Sequence, residues 1–109
     1  MITLIHGNSG SGKTRLAEAL QSKYGGIILD GDSVRQIWPE LGFSKDHRIE
    51  SNMRVARMAK MLDRQGFDVI IATICPYKEL RRDVYNITNC KFIYVSGGKK
   101  STEEYPYEI

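Results

Sequence analysis

Eight consecutive residues near the amino end have the types and spacing that bind a polyphosphate. They fit the pattern G-x-x-x-x-G-K-[ST] without a mismatch and are Gly7, Asn8, Ser9, Gly10, Ser11, Gly12, Lys13 and Thr14. Glycines let successive backbone N–H groups point inward, and the start of a helix adds its positive end, so the main chain can bind phosphate oxygens. Lys13 would reach the β- and γ-phosphates of a nucleoside triphosphate, and the Thr14 hydroxyl would ligate the bridging Mg²⁺.

The flanks of this motif separate a phosphate-binding loop from a flexible Gly/Ser turn. The apolar run Ile2–His6 before it is typical of a buried strand, and Leu16, Leu20 and Tyr24 after it fall on one helical face. A strand, a glycine loop and a helix in this order indicate a phosphate-binding loop.

Two acids form a second candidate group. Asp30 and Asp32 follow the short apolar run 27–29, and the carboxyl ends of parallel strands are where ligands bind in an open α/β sheet. One acid could hold Mg²⁺ and the other could accept the proton of an attacking hydroxyl, and the sequence leaves open which does which. The alternative is a polar turn in which Asp32 or Ser33 caps the next helix, but we expect at least one acid to be functional.

The rest of the chain alternates between strand and helix patterns. After the first helix we expect a strand at 27–29, a short helix at 33–38, a long helix capped by Ser44 and ending near Gln65, a strand at 68–74, a helix containing Leu80, Val84 and Ile87, and a strand at 91–95. Strands separated by helices imply right-handed crossovers and a parallel sheet covered on both faces. The sequence therefore predicts an α/β fold, a three-layer α/β/α arrangement with a short, mostly parallel sheet of about four strands.

Length and composition limit the classes of protein to which this chain can belong. The chain has 109 residues, 41% of them hydrophobic, which predicts a single domain with a core at 1–95 and an irregular tail at 96–109. The net charge is +3 and the basic residues are scattered, so we expect no nucleic-acid partner. Cys75 and Cys90 lack metal-ligand spacing, and no segment is long and apolar enough for a membrane span, so we expect a reduced, cytoplasmic protein.

Together these motifs resemble those of the adenylylsulfate kinases (APS kinases), which use ATP to phosphorylate the 3′-hydroxyl of adenosine 5′-phosphosulfate (APS). The resemblance extends over residues 2–95 and, beyond the phosphate loop, rests on the segments 29–35 (LDGDSVR), 41–48 (LGFSKDHR) and 72–77 (ATICPY). It implies a P-loop kinase fold, with ATP and Mg²⁺ as the phosphoryl donor and a nucleotide-like small molecule as the acceptor.

The resemblance also assigns roles residue by residue. It implies that Lys13, Asp30 and Asp32 are catalytic and that Thr14 and Asp30 hold the metal. It places Arg35 and Arg48 on the sulfate–phosphate end of the substrate, where guanidinium groups make forked hydrogen bonds to oxyanions. The remaining acceptor positions that it implies are Phe43, which would stack on adenine, and Ser51, Ile74 and Cys75.

The sequence departs from the family pattern in two regions. The family usually has Asn where this chain has Ser51, with Asn52 one step round the helix, and Ser where this chain has Cys75. After the fourth strand the family continues through a mobile lid, whereas here a short spacer leads to 105–108 (YPYE), which resembles only the Pro-Tyr-Glu piece beyond that lid. The fold is therefore expected to be truncated at its C-terminal end.

Three functions are consistent with these patterns. The first is a minimal APS kinase. The second is a kinase of the same fold for another hydroxyl, such as a nucleoside, a sugar or a polynucleotide 5′ end, which the Ser51 and Cys75 changes favour. The third is a nucleotide-binding module without catalysis. A bare sheet edge invites pairing with a second copy, so a homodimer is also expected.

Overall fold

Four strands and four helices make up the structure, a computed structural model that describes residues 1–109. In chain order they are β1 (Ile2–His6), α1 (Lys13–Tyr24), β2 (Ile27–Asp30), α2 (Gly31–Ile37), α3 (Lys45–Arg64), β3 (Val69–Thr73), α4 (Lys78–Thr88) and β4 (Lys91–Tyr94). The strands form one parallel sheet in the order β2-β3-β1-β4. The predicted α/β fold with a parallel sheet of about four strands is confirmed.

Helices cover both faces of the sheet, because alternate residues of each strand point to opposite sides. On one face α1 inserts Ala17 against Ile5, Ile70 and Ala72. On the other face α2, α3 and α4 supply Val34, Val55, Ala56, Ala59, Leu80 and Val84, which pack with Leu4, Val69 and Ile71. These two apolar clusters make the sheet a rigid platform for whatever lies at its edge.

The strand register brings the ends of three strands together. His6 at the end of β1 pairs with Thr73 at the end of β3, and Asp30 at the end of β2 pairs with Ala72. The phosphate loop, the two acids and the residues that follow β3 therefore leave the sheet at the same edge. This is the edge where open parallel sheets bind ligands.

Two helix starts differ in how well the sequence predicted them. Ser44 caps α3 as expected, and its hydroxyl accepts a hydrogen bond from the His47 amide at 3.2 Å. The short helix α2 begins at Gly31 rather than Ser33, because β2 runs to Asp30 and Asp30 itself is the cap. The interpretation of Asp32 or Ser33 as the capping residue was wrong.

The tail at 96–109 contains no helix or strand, but hydrogen bonds hold it against the core. Glu108 N donates to Pro76 O at 2.8 Å, and the buried Arg81 guanidinium donates to the carbonyls of Cys75 (2.6 Å) and Glu108 (2.5 Å). The Tyr107 hydroxyl lies 2.5 Å from Nδ1 of the buried His6. No helix anywhere in the chain has the length and apolarity needed to cross a membrane.

Candidate active site

A cavity of about 390 Å³ opens at the carboxyl edge of the sheet. It is lined by most of the residues that the sequence singled out, and these are Ser9, Gly10, Gly12, Lys13, Thr14, Asp30, Asp32, Arg35, Phe43, Arg48 and Ile74. Gly7, Asn8 and Ser11 belong to the same loop but do not line the cavity. Residues from four regions of the chain, 9–14, 30–35, 43–48 and 74, therefore meet in one space.

The phosphate loop curves between β1 and α1 through glycines with left-handed backbone. Gly10 has φ +80° and Gly12 has φ +97°, a region that side-chain-bearing residues rarely adopt. Lys13 folds over this loop, and its Nζ donates to the carbonyl of Asn8 at 3.0 Å. Burial lowers the pKa of Lys13, and the negative charge of Asp32 opposes that shift. A half-buried ammonium group with one carbonyl partner is well suited to bind an anion that enters the cavity.

The two acids differ in their hydrogen bonds. Oδ1 of Asp30 accepts from Ser33 N at 2.8 Å and Oδ2 accepts from Ser33 Oγ at 2.9 Å, so this carboxylate is held by the start of α2. Asp32 makes no side-chain hydrogen bond and is exposed at the cavity. The structure thus separates a fixed carboxylate from a free one within two residues of sequence.

The guanidinium groups of Arg35 and Arg48 both belong to side chains that line the cavity. Arg35 Nη1 donates to Gly42 O at 2.6 Å, and its guanidinium lies 4.2 Å from the centre of the Phe43 ring. Burial lowers the pKa of Arg35, the nearby charge of Arg48 lowers it further, and Asp32 opposes both. Arg48 is only 7% exposed, and its Nε has no hydrogen-bond partner. Two adjacent cations, one with a buried unpaired donor, favour an anionic ligand.

Aromatic rings flank this cationic pair. Phe43 is 54% exposed at the cavity and offers aromatic surface to a planar ligand. The tail contributes Tyr105, whose ring centre lies 5.0 Å from the Arg48 guanidinium. The sequence did not predict this contact, because the tail shows no periodicity from which to place Tyr105.

Asn52, rather than Ser51, brings a polar side chain of α3 to the cavity. Its Oδ1 accepts from Thr73 Oγ1 at 3.1 Å and its Nδ2 donates to Arg48 O at 2.8 Å, and Asn52 lines the cavity. Ser51, which the sequence placed at the acceptor site, is buried in α3 and does not line the cavity. Helical geometry was the available signal, because a residue four positions after Arg48 lies on the same helix face.

Cys75 also differs from its expected place. It is fully buried, it does not line the cavity, and its carbonyl is taken by Arg81. Burial raises the pKa of the Cys75 thiol to about 12, which keeps it a neutral, apolar group. Its neighbours Ile74 and Pro76 face the cavity instead.

The oxygen groups at the cavity fit a magnesium ion that is bound together with a phosphate ligand. No cluster of three or more His, Cys, Asp or Glu side chains exists that could hold a metal alone. Mg²⁺ in nucleotide sites needs only one or two protein oxygens besides substrate phosphates and waters. The Thr14 hydroxyl and the Asp30 carboxylate, which both line the cavity, are of the right chemical type.

Comparison with known proteins shows the family of this chain. The family model for adenylylsulphate kinase matches residues 1–103. The chain belongs to the adenylylsulphate kinase family. A relative from Pyrococcus abyssi, named a probable adenylyl-sulfate kinase, is 47% identical over 83 residues, which are 71% of this chain and 48% of that protein. The chain thus spans about half the length of the curated relatives that it matches.

Solved structures of this family superpose well on the fold. The hexameric APS kinase from Thiobacillus denitrificans gives a TM-score of 0.78 at 32% identity over 99% of this chain and 23% of that one. The Mycobacterium tuberculosis APS kinase, solved in complex with AMPPNP and APS, gives a TM-score of 0.74 at 29% identity over 85% of this chain and 59% of that one. Both superpositions extend over most of this chain.

Proposed function

We propose that this chain transfers the γ-phosphate of ATP to the 3′-hydroxyl of APS. The observation that carries the proposal is the convergence in one cavity of the phosphate loop, the free carboxylate of Asp32 and the Arg35–Arg48 pair beside Phe43. A phosphoryl donor and an anionic acceptor with a planar base would both find complementary groups there. Membership of the adenylylsulphate kinase family supports the choice of APS as acceptor.

The donor side of the reaction depends on the loop and its lysine. Backbone N–H groups of the loop and the start of α1 would bind the β- and γ-phosphates, and Lys13 would exchange its Asn8 carbonyl partner for a phosphate oxygen. Thr14 and Asp30 would hold Mg²⁺, which supplies positive charge to the phosphate oxygens. Lys13 would neutralise the charge that develops on the transferred group.

The acceptor side depends on Asp32, the two arginines and Phe43. Asp32, unlike Asp30, has both oxygens free to accept the proton of the attacking hydroxyl. Arg48, buried and lacking a partner at Nε, and Arg35 would bind the phosphosulfate oxygens. Phe43 would stack on the base, so that the acceptor is fixed at both ends and its hydroxyl is aligned with the γ-phosphate.

Measuring ADP release with and without APS tests this proposal. We expect MgATP turnover that depends on APS, and its loss in Lys13→Ala with a circular dichroism spectrum unchanged from the parent chain. ADP release that APS does not stimulate would reject the acceptor assignment. Undiminished turnover in Lys13→Ala would reject the donor site.

A kinase for another hydroxyl acceptor is the second candidate function. The changes at Ser51 and Cys75 favoured it in the sequence, but neither residue lines the cavity. Nucleosides, sugars and a 5′-hydroxyl oligonucleotide belong in the same assay as controls. Greater stimulation of ADP release by any of them than by APS would favour a kinase for that acceptor instead.

We also propose a homodimer in the cytoplasm. The outer edge of β4 is unpaired and carries the half-exposed rings of Phe92 and Tyr94. Sedimentation equilibrium would reveal the dimer, and a monomer at high protein concentration would contradict it.

A further inference from the structure

The segment from Val95 to Lys99 lies directly against the phosphate loop, although it is 80 or more residues away in sequence. Val95 N donates to His6 O at 2.8 Å, where the loop begins, and Lys99 N donates to Ser9 O at 2.8 Å. The Asn8 side chain donates in return to Lys99 O at 2.9 Å. Two hydrogen bonds therefore tie this segment to the first half of the loop, and a third ties it to His6 directly before the loop.

Gly98 lies directly against the backbone of the phosphate loop. A Cβ atom on Gly98 would lie 2.5 Å from Ser9 O and 2.7 Å from Ser11 N, and both are backbone atoms that no side-chain rotation can move. Gly98 also has φ +75°, whereas the neighbouring Gly97 has φ +92° but nothing within 4 Å of its would-be Cβ. The two glycines share the same kind of backbone and differ in whether they contact the loop.

We propose that Gly98 is a positioning residue for the triphosphate, acting through the phosphate loop. This inference rests on the proposed function, in which the loop binds ATP. The N–H groups of such a loop bind phosphate strongly only if they already converge before the ligand arrives, because reorganisation on binding weakens the complex. Gly98 contacts Ser9 and Ser11, and hydrogen bonds of Val95 and Lys99 lie on either side of it. These contacts hold the N–H groups of the loop in their converging arrangement, although Gly98 is not part of the loop motif.

The test compares Gly98→Ala with Gly97→Ala. Both variants introduce a side chain at positive φ, but only Gly98→Ala must push the loop and the segment apart. We expect Gly98→Ala to weaken MgATP binding, measured by calorimetry, by about tenfold more than Gly97→Ala does, the effect of losing one hydrogen bond to a charged phosphate. In turnover assays the KM for MgATP should rise similarly while the KM for APS stays within about twofold, a split that general destabilisation would not produce.

A second pair of variants covers the case in which Gly98→Ala does not fold. Lys99→Pro removes the N–H that donates to Ser9 O, whereas the Lys100 amide makes no backbone hydrogen bond, so Lys100→Pro is its control. We expect only Lys99→Pro to weaken MgATP binding. Equal MgATP affinities within the folded pairs, with the parent chain binding normally, would overturn this inference alone. Failure of the parent chain to bind MgATP would overturn it together with the proposed function.

Discussion

Two carboxylates at the mouth of the cavity lie two residues apart and have different environments. Asp30 accepts two hydrogen bonds from Ser33, and Asp32 accepts none. We predict that Asp32→Asn lowers kcat by about 100-fold or more, the usual size of a general-base contribution, with little change in the free energy of unfolding. Kinetics at saturating MgATP and APS, together with urea unfolding, measure both quantities.

Asp30→Ala should cost about 1 kcal/mol of stability, because it removes the N-cap of α2, in addition to the Mg²⁺ ligand that the proposed function assigns to Asp30. Asp46→Ala is the matched control for stability, since Asp46 is an exposed acid in the first turn of α3 and does not line the cavity. A normal kcat in Asp32→Asn would transfer the role of base to Asp30.

Arg48 lines the cavity, and we expect both the shape and the charge of its side chain to matter for binding the acceptor. Lysine keeps the charge of Arg48 but loses the planar fork and cannot place two donors on one oxyanion. We predict that Arg48→Lys raises the KM for APS by about tenfold or more and leaves the KM for MgATP nearly unchanged. Arg57→Lys, an exposed position on the same helix, should change neither value. Equal increases in both KM values would indicate a general distortion of the site.

The sequence brought candidate residues to the cavity most often where a short motif fixes their spacing. Most of the phosphate loop lines the cavity, together with Arg35, Phe43 and Arg48, because each belongs to a motif at the end of a strand or the start of a helix. Ser51 does not line the cavity, since one step along a helix rotates a side chain by 100°, which exchanges Ser51 for Asn52. Tyr105 was missed because its contact with Arg48 depends on the path of an irregular tail.

At the scale of elements, the tail is the part of the fold that the sequence could describe least. The strands and helices were predicted within one or two residues because apolar periodicity marks them. No such pattern shows that the backbone of Glu108 lies against α4, or that the Arg81 side chain of that helix becomes buried in the contact. Burial of Arg81 depends on carbonyl groups that only the folded chain brings together.

Arg81 is therefore the residue to change in order to release the tail. Arg81→Met keeps most of the volume but leaves the Cys75 carbonyl, and that of Glu108, without their donor. We predict a loss of roughly 2–3 kcal/mol in the free energy of unfolding, as expected for hydrogen bonds from a charged group. Urea unfolding measures the loss, and limited proteolysis should show earlier cleavage within 96–109. Arg82→Met, on the exposed side of α4, should stay within about 0.5 kcal/mol of the parent chain.

At the scale of the whole molecule, His6 connects the sheet, the phosphate loop and the tail. It ends β1, its ring packs against those of Phe92 and Tyr94 on β4, and its Nδ1 meets the Tyr107 hydroxyl of the tail. Burial lowers the pKa of His6 from 6.5 to about 4, and the charges of Arg81 and Lys13 add to the effect. The native protein therefore holds His6 neutral at pH values where an unfolded chain would protonate it.

This difference makes stability depend on pH in a defined direction. Between pH 6.5 and about 4 the unfolded chain binds a proton that the folded chain does not, so stability falls as pH decreases through this window and this contribution levels off below it. For His6 alone, the loss between pH 7 and pH 5 is about 2 kcal/mol. His6→Asn removes the titrating group, so its free energy of unfolding should fall by about 2 kcal/mol less over the same interval. Urea unfolding at both pH values measures this difference, because the carboxylates are the same in both proteins and contribute equally to the change in the free energy of unfolding. Parallel losses in the parent chain and His6→Asn would mean that His6 takes up a proton as readily in the native state as in the unfolded chain, and that the tail does not seal its ring from water.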